Sequence, residues 1–174
     1  MTVLDSRPDV PGDPQGRIIN PMEGSEALIS EAGVSMAPVE DLGAGRGPFW
    51  LDDWLRANAT DVLAWRRHIH AHPELSRHEF ATTELVVTLL RSVGLKPWVL
   101  PGGTGVVCDI GSGERCVALR ADMDALPLTE ATGLPYASTT EGAAHMCGHD
   151  AHTAILLGAA RALAGAPELP GRVR

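Results

Sequence analysis

The order of the apolar patterns after residue 49 most constrains the fold of this chain. Apolar residues first recur at helical spacing, then fall in short β-branched runs, and then return to helical spacing. The predicted elements are, in order, one or two helices over 50–71, a helix over 80–90, strands 98–100, 105–110 and 115–121, helix 150–164 and strand 171–174. This alternation predicts an α/β fold in which helices pack against a mixed sheet.

Local signals predict how these elements begin and connect. Ser76 and Glu79 have the spacing of a capping box in front of the second helix, which we expect to bury Phe80 among other apolar residues. The connector 111–114 has the length of a hairpin loop, so strands 105–110 and 115–121 are expected to pair.

Composition separates the chain into two regions and excludes some functions. Residues 1–48 are rich in proline and glycine and are predicted to be a flexible leader; residues 49–174 form the folded domain. The net charge of −8 disfavours nonspecific nucleic-acid binding, and no apolar run is long enough to span a membrane. Three cysteines, with no secretory signal, favour reduced thiols and a cytoplasmic location.

The densest group of potential metal ligands lies just before the last predicted helix. His145-Met146-Cys147-Gly148-His149-Asp150-Ala151-His152 holds three imidazoles, a thiol and a carboxylate within eight residues. Zinc, manganese or cobalt accepts such donors. Gly148 allows a bend between Cys147 and His149, and Asp150 is placed to cap the helix or to hold a histidine ring. The cluster alone supplies too few ligands for a catalytic metal.

Two further segments carry polar groups whose roles stay open at this point. Asp122 and Asp124 follow a strand and point the same way in an extended chain, with Arg120 as a neighbouring cation; a cleft-facing pair and a solvated turn are equally compatible with this pattern. His68 and His72 share one helix face, and we favour helix-end capping over metal binding for them.

Taken together, these segments resemble a known family. The motifs are, in order, Trp65-Arg66-Arg67-His68-Ile69-His70-Ala71-His72-Pro73-Glu74-Leu75-Ser76, Arg120-Ala121-Asp122-Met123-Asp124-Ala125-Leu126-Pro127 and the histidine-rich segment 145–152. They are similar to those of the aminoacylase and carboxypeptidase family of metal-dependent amidohydrolases. The match is to the branch of hippurate hydrolases, indoleacetyl-amino-acid hydrolases and N-acetyl-diaminopimelate deacetylases.

The resemblance implies roles for particular residues. Cys147 and His149 match two ligands of a paired metal centre that holds manganese, zinc, nickel or cobalt, and Asp124 matches an aspartate that orients a ligand and supports catalysis. In related branches a metal-binding histidine stands at the position of Asp122, so that residue is not assigned as a ligand. The implied fold is the N-terminal half of a zinc-peptidase-like α/β sandwich without its lid or dimerisation domain.

The implied reaction is hydrolysis of the amide bond of N-acyl amino acids, which releases a carboxylic acid and an amino acid. The substrate would be a small molecule, with neither nucleic acid nor membrane as a partner, and intact relatives could form homodimers. The family's Glu-Glu pair, its further histidine ligands and its lid do not occur in this sequence. We therefore expect little or no hydrolysis by this chain alone. The alternative is a non-catalytic fragment that binds metal weakly or has an interaction role.

Overall fold

A computed structural model describes residues 48–174, so the predicted leader lies outside the described residues except for Pro48. The described elements are α1 (Phe49–Ala71), α2 (Phe80–Arg91), β1 (Trp98–Val99), β2 (Val106–Val107), β3 (Cys116–Val117), α3 (His149–Ala164) and β4 (Arg172–Val173). Each was predicted from the sequence pattern, with strands shorter than expected. The predicted α/β class is confirmed.

The sheet has both antiparallel and parallel pairs. β1 pairs with β2 antiparallel across a turn that contains Gly103, and β3 pairs with β4 parallel. An antiparallel bridge between Ile110 and Val173 joins the two pairs. β4 therefore lies between the segment that continues β2 and β3, which corrects the predicted hairpin across 111–114. A strand from much later in the chain occupies the position that a hairpin partner would take.

Close backbone contact makes this insertion possible. Gly111 has φ +73°, and a Cβ atom on it would lie 2.7 Å from the carbonyl oxygen of Gly171. A Cβ atom on Gly171 would in turn lie 2.8 Å from the carbonyl oxygen of Arg115. The side-chain-free backbone at these two positions lets β4 approach both neighbours.

Three helices share the core against this sheet. Trp65 and Ile69 of α1, Leu90 of α2 and Leu157 of α3 are almost fully buried. The guanidinium of Arg161 on α3 lies 5.1 Å from the ring centroid of Trp65 and donates to Leu89 O and Ser92 Oγ at the end of α2. These contacts tie the three helices together. None of the helices in residues 48–174 is long and apolar enough to cross a membrane.

The start of α2 differs from the prediction. The helix begins at Phe80, and its N-cap residue Glu79 makes no side-chain cap bond. Instead the carboxylate of Glu74 accepts hydrogen bonds from the backbone N–H groups of Ala81 and Thr82 at 3.0 and 2.8 Å. Phe80, expected to be buried, is 52% exposed. The predicted capping box is therefore wrong, because a carboxylate from before the turn satisfies the free N–H groups.

Candidate metal centre

The histidine-rich segment turns sharply into α3. Gly148 has φ +84° and ψ 12°, in the left-handed region, and His149 is the first residue of the helix. An L side chain at Gly148 would be strained in this conformation. The bend predicted from Gly148 is thus present. It places His149 at the start of α3, so the direction of its side chain depends on the first turn of that helix.

Asp124 and His149 are in direct contact. The Nδ1 atom of His149 lies 3.0 Å from Oδ1 of Asp124 and 2.9 Å from its carbonyl oxygen. Both partners are acceptors when the carboxylate is ionised, so Nδ1 is the protonated nitrogen and donates. In the tautomer that has its hydrogen on Nδ1, the lone pair lies on Nε2, for which the described part of the chain offers no hydrogen-bond partner. This is how a carboxylate prepares a histidine to bind a metal.

Cys147 is exposed and its thiol is free. Within residues 48–174 there is no group of three or more His, Cys, Asp or Glu side chains arranged to hold a metal ion. A thiolate sulfur and an imidazole nitrogen are donors that transition metals accept, so Cys147 and Nε2 of His149 remain the predicted ligand pair. They would supply two of the ligands of such a metal.

Asp122, which the family pattern left unassigned, is engaged elsewhere. Its Oδ1 atom pairs with the guanidinium of Arg120, and its carbonyl oxygen accepts a hydrogen bond from Thr153 Oγ1 at 3.1 Å. The carboxylate is 41% exposed. Of the two aspartates predicted to point the same way, only Asp124 contacts the histidine-rich segment through its side chain.

Four side chains behind His149 form a charged group, which we name the Asp150 cluster: Arg66, His70, Glu130 and Asp150. Oδ2 of Asp150 accepts from Nε of Arg66 at 3.0 Å and lies 2.9 Å from Nδ1 of His70. The other ring nitrogen of His70 lies 3.2 Å from Oε1 of Glu130. The Asp150 and Glu130 carboxylates are 1% and 2% exposed. The cluster joins the end of α1, the start of α3 and the loop before it.

Hydrogen bonds keep both carboxylates of the cluster ionised. Burial acts to raise the pKa of Asp150, but hydrogen bonds from His70, from the Ala151 backbone and from Arg66 outweigh it and lower the pKa. Burial likewise opposes ionisation of Glu130, whose pKa is nevertheless lowered by its bonds with Thr132, the Ser138 backbone and His70. Each carboxylate is therefore charged at neutral pH.

His145 is buried next to this cluster and was not assigned a role from the sequence. Its ring is 4% exposed, and its centroid lies 6.4 Å from that of His70. Burial, more than any other influence, lowers the pKa of His145, so the ring is neutral at pH 7. Both of its nitrogens, and Oδ1 of Asp150, lack a hydrogen-bond partner within residues 48–174.

The other histidines of the motifs lie outside both the Asp124–His149 contact and the Asp150 cluster. His72 and His68 stack at 4.5 Å between ring centroids, and Nδ1 of His72 lies 2.8 Å from the carbonyl oxygen of His68. This geometry agrees with the predicted capping of the helix end. His152 is exposed, 6.1 Å from His149 between ring centroids.

Sequence reasoning missed His70 and Glu130. His70 lies between His68 and His72 in a run of alternating histidines, so the pattern does not single it out. Its partners Glu130 and Asp150 are 60 and 80 residues away. The one sequence signal that pointed to such a contact was the prediction that Asp150 could hold a histidine ring. The structure shows which ring it holds.

Comparison with known proteins shows which family this chain resembles. The sequence model described as Peptidase family M20/M25/M40 matches residues 118–174, which include Asp124, Cys147 and His149. A solved dinuclear metal-binding peptidase of the M20 family from Bacillus subtilis is 41% identical with a TM-score of 0.64, over 68% of this chain and 34% of that one. The predicted family resemblance is confirmed. The chain also resembles an aminohydrolase from methicillin-resistant Staphylococcus aureus, at 37% identity and a TM-score of 0.68, over 72% of this chain and 34% of that one.

Curated relatives match longer parts of the chain than the family model does. The N-acetyl-L-cysteine deacetylase of Bacillus subtilis is 50% identical over 65% of this chain, and the N-acyl-L-amino acid amidohydrolase of Geobacillus stearothermophilus is 49% identical over 59%. A Rhodococcus jostii protein named glutamate–cysteine ligase 2-3 is 52% identical over 70% of this chain. The chain spans 28% of each of the first two relatives and 16% of the third.

Proposed function

We propose that residues 49–174 are part of a metal-dependent amidohydrolase that cleaves the amide bond of N-acyl amino acids. The observation that carries this proposal is the bond between Asp124 and Nδ1 of His149, which leaves Nε2 free to bind a metal. Relatives named for N-acyl amino acid hydrolysis and N-acetylcysteine deacetylation support the substrate class. The products would be a carboxylic acid and a free amino acid.

The proposed roles divide among three side chains. The Cys147 thiolate and Nε2 of His149 would hold a divalent ion of the manganese, zinc, nickel or cobalt type, and Asp124 would orient His149 and hold its Nδ1 proton. When bound, such a metal supplies Lewis-acid polarisation of the amide carbonyl and acidifies a bound water. Asp124 keeps the His149 ring in one tautomer, so the ligand does not need to reorganise when the metal binds.

We further propose that the 174-residue chain alone has little or no activity. Within the described residues only two metal ligands are offered, and no carboxylate other than Asp124 contacts His149. The alternative remains a non-catalytic fragment with weak metal binding. The free thiols of Cys108, Cys116 and Cys147 support a reducing, cytoplasmic location. We also propose that the intact protein could form a homodimer, and this proposal rests on the family resemblance alone.

Two assays separate these proposals. The purified chain is incubated with Mn²⁺ and N-acetyl-methionine or N-acetyl-cysteine, and release of the free amino acid is measured; we expect no turnover above the metal blank. Robust turnover that Cys147→Ser abolishes would contradict the inactivity and support the hydrolase. For the activity itself, a longer protein that contains this segment is assayed with and without His149→Ala, which should remove activity.

A further inference from the structure

The Asp150 cluster lies directly behind the first turn of α3, from which His149 extends. Asp150 is the next residue after His149, and its carboxylate is held by Arg66 and His70 of α1. Gly148, which precedes the helix, has no side chain to fix the chain from the other side. The direction of His149 therefore depends on how firmly Asp150 is anchored as well as on its own bonds with Asp124.

His70 is the central member of the cluster. Its two ring nitrogens face carboxylate oxygens of Asp150 and Glu130, at 2.9 and 3.2 Å. An ionised carboxylate only accepts hydrogen bonds, so Nδ1 carries a hydrogen and donates it to Asp150.

Glu130 anchors the far side of His70. Its carboxylate accepts from the Ser138 backbone N–H at 2.7 Å and pairs with the Thr132 hydroxyl. The ring of His70 is thus fixed from both sides, by the start of α3 and by the loop that precedes the histidine-rich segment. A ring held in this way restricts the rotation of the Asp150 carboxylate.

We propose that His70 is a positioning residue for the Cys147–His149 pair, because its Nδ1–H bond to Asp150 fixes the first turn of α3. This inference rests on the proposed metal-binding role of the pair. His70 does not touch the metal. Groups that orient metal ligands in this indirect way typically change metal affinity by about 10- to 100-fold when they are removed.

Asparagine and glutamine each reproduce one of the two ring nitrogens of histidine, so they distinguish the bond to Asp150 from the bond to Glu130. The side-chain nitrogen of asparagine takes the place of Nδ1 and can still donate to Asp150. The side-chain nitrogen of glutamine takes the place of Nε2 and faces Glu130 instead. Both substitutions introduce an uncharged amide, so a difference between them reports the Asp150 bond. His68→Gln is the matched control, since His68 lies on the same helix and contacts His72 rather than α3.

The experiment titrates Co²⁺ into the full 174-residue chain and follows the thiolate-to-cobalt charge-transfer absorption, with helical circular dichroism as the check on folding. We expect H70Q to weaken Co²⁺ binding at least about tenfold, and H70N and H68Q to stay within about threefold of the wild type. Equal affinities for H70Q and the wild type, or equal losses in H70Q and H70N, would overturn the proposal.

Two further outcomes are decisive. If H70Q does not fold, Arg66→Gln replaces it, since Arg66 is the other donor to the same oxygen; lost affinity supports the proposal and unchanged affinity overturns it. If the wild-type chain gives no thiolate–cobalt absorption, the metal-binding role of the pair fails. That result is distinct from normal wild-type binding that H70Q leaves unchanged, which overturns only the role of His70.

Discussion

Replacement of Asp150 by alanine should destabilise the folded chain more than any surface change. The carboxylate is 1% exposed, and its Oδ2 atom holds Arg66 Nε at 3.0 Å and His70 Nδ1 at 2.9 Å. Without it, His70 loses the partner of one ring nitrogen in a buried setting. Removal of one partner of a buried ion pair typically costs about 3–5 kcal/mol. A loss of this size is a large part of the roughly 5–15 kcal/mol by which domains are stable.

Urea unfolding followed by circular dichroism measures this loss, with Asp53→Ala as the control. Asp53 lies on the exposed face of α1, where its carboxylate is 77% exposed and pairs with Arg56 at 3.0 Å. Such surface pairs contribute about 0–1 kcal/mol. We expect D150A to lower the free energy of unfolding by about 3–5 kcal/mol and D53A to change it by less than about 1 kcal/mol. A D150A loss no larger than that of D53A would refute the view that the side chains of the cluster form a buried, mutually bonded unit.

Three other predictions test the core, the sheet and the acid response. Ile69→Ala, at a side chain that is 1% exposed, should cost about 2–5 kcal/mol in urea unfolding; a cost under about 1 kcal/mol would contradict its place in the core. Gly111→Ala should destabilise more than Gly133→Ala, because both have positive φ but only Gly111 meets a backbone oxygen, that of Gly171, at 2.7 Å; equal effects would argue against the position of β4. The pKa of Glu130 is lowered in the folded chain, so its contribution is complete above the ordinary glutamate pKa of about 4.3 and is lost as the pH falls below it. Glu130→Gln should therefore flatten the decline in stability below that pH, and an unchanged pH profile would contradict this.

Much of the fold follows from local patterns in the sequence. Apolar spacing predicted the three helices to within a few residues, since an amphipathic helix repeats within a single segment. The errors in strand pairing and in helix capping both involve partners that are distant in sequence or outside the expected motif. The hairpin prediction failed because Val173 bridges to Ile110, and the capping box failed because Glu74 reaches forward to the start of α2.

The candidate site divides in the same way. The ligand types and the turn at Gly148 are visible in one short motif, and the order of the motifs pointed to the family. The bond between Asp124 and His149 joins residues 25 positions apart, and the role of His70 depends on Asp150, 80 positions away. Long-range hydrogen bonds of this kind leave no periodic trace in a single sequence. Hence the sequence predicts the candidate ligands, while the structure shows the hydrogen bonds around them.

The most direct test of the central claim is a metal titration of the wild-type chain beside Cys147→Ser and His149→Ala. We expect Co²⁺ to produce a thiolate charge-transfer absorption in the wild type, with release of protons into weak buffer as the thiol ionises. C147S should lose the absorption, and H149A should bind much more weakly. Absence of binding in the wild type, or binding that neither substitution weakens, would contradict the assignment of Cys147 and His149 as metal ligands.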